Sequence, residues 1–471
     1  MKALKSYLLL ALLCLVLYLP GLSSVPIIDR DEPHFAQTSR QMLETGRYWE
    51  LKFQNEVRHL KPPGIYWLQA LSAHSLSDLA KHEVWPYRLP SVFGVLFAVL
   101  LLYGFARRLL NESTAFWGAA LLAASLLVVV EAHLSLTDGV LLFTVVLMQA
   151  ALWKLYLEAS QAKQSHWVWV LLFWGAMALG VLIKGVSPLF AILTILALVI
   201  ADRKISWLKN LRIVWGVILL LGISLAWLLP FSWVANTNFL WDMIRLDLAP
   251  KLAGGQQSHG QPPGFFLIGS LITLWPNSLL LLGTAFYAWT QRKKIEIRFL
   301  LAWILPNYIV LELVSTKLPQ YLLPIYPAVM LLMAAALVSQ DYLKCRYPKL
   351  LRCFYMLWLL VSLALAAILI ILPLLLEGSV PWAAYLSAGV ITLGGFSAVI
   401  LLWREKIKAV ALILVLTSLF TFPLIFQTII PSFNRVWLTD RIKAVLLTEK
   451  PVISDQHPLL AVDYQEPSLI F

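Results

Sequence analysis

Ile28-Asp29-Arg30-Asp31-Glu32-Pro33-His34-Phe35 follows directly on the first apolar stretch of the chain, and its reading decides the fold. Three carboxylates, an arginine and a histidine fall within six residues, where a very hydrophobic polypeptide has just left an apolar run. Ionisable groups held against a bilayer are costly to desolvate, so such a cluster marks a reaction centre or an ion path.

Composition agrees. Of 471 residues, 60% are hydrophobic and 13% charged, with a mean hydropathy of +0.78. Soluble domains carry about 25% charged residues, so the soluble globular class is excluded. The chain reads as an all-α polytopic membrane protein. Against roughly 20 residues per spanning helix, about thirteen transmembrane segments emerge: 5–22, 86–106, 114–131, 137–157, 167–183, 188–201, 213–230, 264–290, 298–315, 320–338, 354–374, 381–403 and 408–428. The pair 167–183 and 188–201 is short, broken by Lys184-Gly185 and Ser187-Pro188.

Orientation follows from positive charge, which accumulates in cytoplasmic loops. With Lys2 and Lys5 inside, the inner loops hold 21 of the 37 Lys+Arg but 6 of the 25 Asp+Glu. The inside then carries +15 and the outside −3, which accounts for the net +12. The basic charge is topogenic, and no nucleic-acid partner is expected. Seven of the eight histidines (34, 59, 74, 82, 133, 259 and 457) fall outside, which points to chemistry on that face. Residues 1–24 have the lysines and apolar core of a signal peptide but no small-x-small cleavage pattern, so an uncleaved first helix is expected. Cys14, Cys345 and Cys353 supply no outer-loop disulfide framework.

The domain reading is a transmembrane unit over 1–430 with long outer loops at 23–85 and 231–263, then a short outer tail at 431–471. The first loop reads as two amphipathic helices lying on the membrane. One is Asp31 to Thr45, closed by Gly46, with Phe35 and Met42-Leu43 on its apolar side. The other is His74 to Val84.

Several constellations bear two readings. Asp31-Glu32 heads a helix, where negative charge also complements the helix dipole. Lys61-Pro62-Pro63 leads into Tyr66-Trp67, which also suits headgroup anchoring. Glu131, His133 and Asp138 sit where two spans meet, although an Asp at a helix start is commonplace. Lys184 interrupts an apolar run, as a snorkelling lysine does. Lys317 and Gln320-Tyr321 follow the span carrying Glu312. Together, four acidic residues (Asp31, Glu32, Glu131 and Asp138) and three lysines (Lys61, Lys184 and Lys317) share one membrane depth. That pattern suits an anionic lipid headgroup: lysines neutralise phosphate as point charges, and a carboxylate serves as base.

These residues carry a resemblance. Asp31-Glu32-Pro33, Ala36-Gln37, Ser39-Arg40-Gln41-Met42-Leu43, Gly46 and Lys61-Pro62-Pro63 through Tyr66-Trp67 resemble the first outer loop of glycosyltransferase family 39. Those are the bacterial relatives of protein O-mannosyltransferases and of the lipid A aminoarabinose transferase, in the C-type superfamily. Leu136-Thr137-Asp138, Ile183-Lys184-Gly185, Gly254 to Gly264 and Thr316 to Pro324 match further motifs in order. The resemblance covers roughly residues 1–435.

It implies the C-type glycosyltransferase fold and inverting transfer of one sugar from a polyprenyl-phosphate donor. The acceptor would be lipid A or lipopolysaccharide, another glycan or a protein, on the periplasmic face of a bacterial inner membrane. Asp31 matches the catalytic acidic position, Asp138 the second acidic position and Lys61 a lipid-phosphate contact; Glu32 joins the catalytic candidates. Arg58, His34, Lys184, Lys317 and Tyr321 are donor-binding candidates, and Glu131, His133, His259 and Gln320 further site candidates. A divalent metal is compatible with the pattern but not required by the sequence. Departures are His34 in place of arginine, Phe35 in place of tyrosine, Leu60 in place of an acidic residue, Gln320 in place of histidine, and a chain ending at Tyr464 to Phe471 where relatives continue. As a replacement phosphate donor, His34 would act only when protonated, making transfer weaken above neutral pH.

Two other classes fit part of this pattern. A transporter or flippase of polyprenyl-linked sugars would use lysines and broken helices but needs paired inner and outer charged sites. A non-catalytic glycolipid-binding assembly factor would keep the lysines and not need Asp31.

Overall fold

A computed structural model describes residues 2–28, 30–77, 82–161, 163, 166–234, 238–250, 260–339, 348–449 and 466–471. The chain is helical almost throughout. In order run α1 (Lys2–Tyr18), α2 (Asp31–Thr45), α3 (Gly64–Leu76), α4 (Trp85–Leu109), α5 (Glu112–Ala123), α6 (Leu126–Ala132), α7 (Asp138–Ser160), α8 (Trp167–Ile183), α9 (Ser187–Asp202), α10 (Ile213–Val234) and α11 (Phe239–Met243). Then come α12 (Phe265–Thr273), α13 (Leu281–Thr290), α14 (Ile295–Leu313), α15 (Tyr326–Val338), α16 (Pro348–Glu377), α17 (Trp382–Trp403), α18 (Ile407–Leu424) and α19 (Leu438–Glu449).

Each apolar segment read from the sequence meets helix, but thirteen is not the number of spans that length and apolarity certify. Among the described residues seven helices qualify, or up to nine if each of two bent pairs counts as one span. The bends are 61° between α5 and α6 and 120° between α12 and the helical stretch Asn277–Thr290. α1, α8 and α9 are apolar but shorter. α14 carries Glu296, Arg298 and Glu312, which lower its apolarity.

Burial grades across the bundle. The spans Asp138–Ser160 and Pro319–Val338 are 72% and 83% buried in their apolar windows, whereas α10 and α16 are 11% and 22% buried. Lipid tails are as apolar as leucine, so the outer helices lose nothing by facing them. Small residues let the central helices approach. A Cβ on Gly94 of α4 would stand 2.6 Å from the Gly139 carbonyl oxygen of α7, and one on Gly139 2.8 Å from the Ser91 carbonyl oxygen.

The segment after α1 departs from its sequence reading in three ways. α2 has the expected bounds, with Gly46 closing it at φ 68°, but it is not a surface helix: Glu32, Thr38, Ser39 and Arg40 are buried along with Phe35 and Met42. Its polar residues have partners inside. Ser39 Oγ donates to Gln69 Oε1 (2.7 Å) and Gln69 Nε2 to the Ser135 carbonyl (2.8 Å). The second helix begins at Gly64, not His74, because Pro62-Pro63 starts it; Ser77 ends it in extended conformation. Between α2 and α3 a two-stranded antiparallel hairpin, Lys52–Phe53 with Glu56–Val57, was not foreseen.

Candidate active site

Two carboxylates stand at helix heads. Asp31 is the first residue of α2 and is exposed. It makes no hydrogen bond or ion pair among the described residues. Asp138 is the first residue of α7 and is buried. Its Oδ1 accepts from Lys184 Nζ at 2.8 Å and its Oδ2 from Thr137 Oγ1 at 3.1 Å. Lys184 can reach it because α8 stops there: the residue is extended (φ −156°, ψ 107°) before α9 begins. The Lys184 ammonium also lies 5.3 Å from the centre of the Tyr321 ring. Glu131 is buried beside this pair, with Oε2 unpartnered among the described residues. Asp138, Lys184 and Asp31 are its electrostatic neighbours.

Glu32 is engaged differently. Its Oε1 and Oε2 take Arg88 Nε and Nη2, both at 2.8 Å, in a fork-to-fork pair that is almost fully buried. The remaining lone pairs accept the backbone N–H groups of Ile28 and Ser135, each at 2.9 Å. Arg88 spends its other donors on the carbonyls of Leu22 and Val25 (2.7 Å each) and Pro26 (2.9 Å). A carboxylate with four donors around it has no capacity for base work, which corrects the catalytic reading of Glu32. Arg88 escaped the sequence reading. Its signal was the one used for Lys184: a lone charge at the end of an apolar span, in Trp85-Pro86-Tyr87-Arg88.

His34 packs edge-on against Phe53 of the hairpin, with ring centres 4.3 Å apart, and faces Arg58 and Asp31. Burial, and then the Arg58 charge, push His34 down from 6.5 to about 4, with Asp31 partly offsetting. The imidazole is therefore neutral near pH 7, contrary to its expected part as a cationic phosphate donor. Arg58 lies 5.9 Å from the centre of the Phe35 ring, which stacks on Tyr66 at 5.3 Å. Lys61 is half-buried at the turn into α3. Two residues earlier, buried His59 meets Asp242 Oδ2 through Nδ1 at 3.0 Å, tying the first long loop to the segment after α10.

Lys317 is drawn elsewhere. Its buried ammonium donates to the carbonyls of Gln261 and Val314, each at 2.8 Å. A desolvated lysine requires acceptors, and here loop backbone supplies them, so it is Tyr321, four residues on, that accompanies Lys184. Gln320 is half-buried beside Tyr321. His133 faces the carbonyls of Val129 (2.7 Å) and Pro20 (2.9 Å) and stacks on Phe426, which gives it a structural role. His259 lies outside the described residues. Among the described residues no group of three or more His, Cys, Asp or Glu side chains is placed to hold a metal ion.

The family described as dolichyl-phosphate-mannose-protein mannosyltransferase matches residues 60–229. An undecaprenyl phosphate-alpha-4-amino-4-deoxy-L-arabinose arabinosyl transferase of Pseudomonas fluorescens is 29% identical over 332 residues, covering 69% of this chain and 54% of its own length. One of the same name from Proteus mirabilis is 28% identical, with 69% and 58% covered. The chain thus spans little more than half the length of these curated relatives. Among solved structures, ArnT from Cupriavidus metallidurans bound to undecaprenyl phosphate superposes with a TM-score of 0.76 at 18% identity, over 98% of this chain and 83% of that one. The Archaeoglobus fulgidus oligosaccharyltransferase superposes at 0.53 and 14% identity, over 88% and 56%.

The molecule is thus a multi-pass membrane protein with the fold of the Cupriavidus metallidurans ArnT. Within that class the chain is similar to the dolichyl-phosphate-mannose-protein mannosyltransferase family over residues 60–229 and to aminoarabinose transferases at 28–29% identity.

Proposed function

We propose that this protein transfers a single glycosyl group, with inversion, from a polyprenyl-phosphate donor to an acceptor at the periplasmic face of a bacterial inner membrane. The relatives' names point to an amino-pentose on undecaprenyl phosphate as donor. Lipid A, another glycan and protein are the acceptor classes.

The observation that carries the reading is an exposed Asp31, without a hydrogen bond or ion pair among the described residues, in the same electrostatic neighbourhood of Glu131 as the Asp138–Lys184–Tyr321 unit. In the transfer, the acceptor oxygen bonds to the anomeric carbon as the bond from that carbon to the phosphate oxygen breaks. Polyprenyl phosphate leaves. Asp31 takes the acceptor hydroxyl proton, or orients an acceptor that is already anionic. Lys184, Lys61 and Arg58 neutralise the charge gathering on the leaving phosphate. Asp138 holds Lys184 in place.

General-base assistance is worth about 10²–10⁴-fold in rate. In membranes supplied with labelled polyprenyl-phosphate sugar, Asp31→Asn is expected to lose that much turnover while inserting normally. Undiminished turnover would overturn the assignment. A protein that releases no free polyprenyl phosphate yet moves the intact donor across vesicles would be a transporter instead.

A further inference from the structure

We propose that the buried Glu32–Arg88 pair is a positioning device that sets the placement of Asp31 relative to Asp138, and that it acts on the rate of transfer rather than on donor affinity. The inference rests on the function proposed above, and it concerns two residues that touch neither donor nor acceptor there.

The argument is one of connectivity. Arg88 belongs to the first turn of α4 and grips the carbonyls of Leu22, Val25 and Pro26, the stretch of chain just before the acidic cluster. Glu32 takes the N–H of Ile28, three residues before Asp31, and that of Ser135, three residues before Asp138. One ion pair thus holds the approach to both helix heads at the same buried point. Gln69 adds a second tie on the Ser135 side through its carbonyl. The Ser91 hydroxyl, three residues beyond Arg88 on α4, donates to the Leu136 carbonyl at 3.2 Å.

The fixed backbone is also an unfavourable one. Arg30 stands at φ 78°, ψ −78°, a region that residues with a Cβ seldom enter, immediately before Asp31. A strained residue persists only where its surroundings over-determine it, and Ile28 and Glu32 are the anchored neighbours on either side. Displacing a reacting group by about 1 Å costs on the order of 10²-fold in rate. Binding contacts made by lysines on other elements would be left in place.

The test is a double-mutant cycle in lipid nanodiscs with labelled polyprenyl-phosphate sugar, reading kcat and the donor KM separately. Glu32→Gln keeps size and shape but sets an amide N–H against the guanidinium. It is expected to lower kcat by about 10²-fold with the donor KM within about twofold. In the Asp31→Asn background the same substitution is expected to cost little more, because the group it places is already disabled. Arg88→Lys, which keeps the charge and loses the fork, is expected to follow the same pattern. An equal fold-loss in both backgrounds, or a change confined to KM, overturns positioning and leaves a structural pair. Failure of both conservative variants to insert does so as well, since the pair is then a folding element. Undiminished turnover in Asp31→Asn alone overturns the transfer mechanism itself and this inference with it.

Discussion

At the scale of single residues, His34 has the most direct consequence for pH. Its folded ring resists protonation until about pH 4, whereas the ring of an unfolded chain takes a proton near 6.5. Between those values the unfolded state binds more protons, so stability rises with pH across the window and falls as the pH drops through it. The unfolding temperature is therefore expected to fall as the pH drops from 6.5 towards about 4, and His34→Gln is expected to flatten that loss. A His34→Gln protein with the same acid dependence as the parent would show that other groups carry it. Above neutral pH the same ring is already neutral, so transfer is expected to show no inflection belonging to His34.

The sequence made Asp31, Asp138 and Lys184 legible as candidates because each is a charge at the edge of an apolar run, where a bland neighbour is the rule. The distinction between Asp31 and Glu32 was not legible. Adjacent carboxylates at a helix head look alike in one dimension, and only the approach of Arg88 from a helix 56 residues away makes one a strut and leaves the other exposed. The same limit applies to Lys317, whose acceptors lie partly in a distant loop.

At the scale of elements, the crossing of α4 and α7 carries the site, because Asp138 heads α7 and Arg88 opens α4. The two helices meet backbone to backbone at Gly94 and Gly139, with no flexible side chain there to yield. Gly94→Ala would push a methyl group to 2.6 Å from a carbonyl oxygen, so the helices must part. The expected cost is about 1–3 kcal/mol, as for other overpacked contacts, read as a lower unfolding temperature in detergent. A substitution that left both unfolding temperature and turnover unchanged would mean that the crossing is loose. Helix positions were readable from apolar length alone, including the break after Ile183, where Lys184-Gly185 and Ser187-Pro188 end one helix and start another. The start of α3 and the short hairpin were not. The sequence places the second helix at His74, whereas Pro62-Pro63 starts it at Gly64, and four strand residues give no periodicity to detect.

At the scale of the whole molecule, the split of basic and acidic loops sets an orientation that a reporter can check. A fusion at Gln54, in the hairpin turn beside the site, is expected to report from the periplasm, and one at Arg292, between α13 and α14, from the cytoplasm. The opposite result would put the chemistry on the wrong side for the acceptors proposed above. The number of spans was less legible than their places, because α5–α6 and α12–α13 bend sharply inside what reads as continuous apolar sequence.

The gradient of burial has a consequence for how such a chain drifts. α10 and α16 meet mainly hydrocarbon, which accepts any apolar side chain of similar bulk, so exchanges among leucine, isoleucine, valine and phenylalanine there go almost unpunished. α7 and α15 meet fixed neighbours on nearly every side, and the same exchanges leave holes or collisions. Substitutions accumulated over generations would therefore gather on the outer helices and thin out toward the centre, writing the inside of the bundle into the pattern of what is allowed to vary.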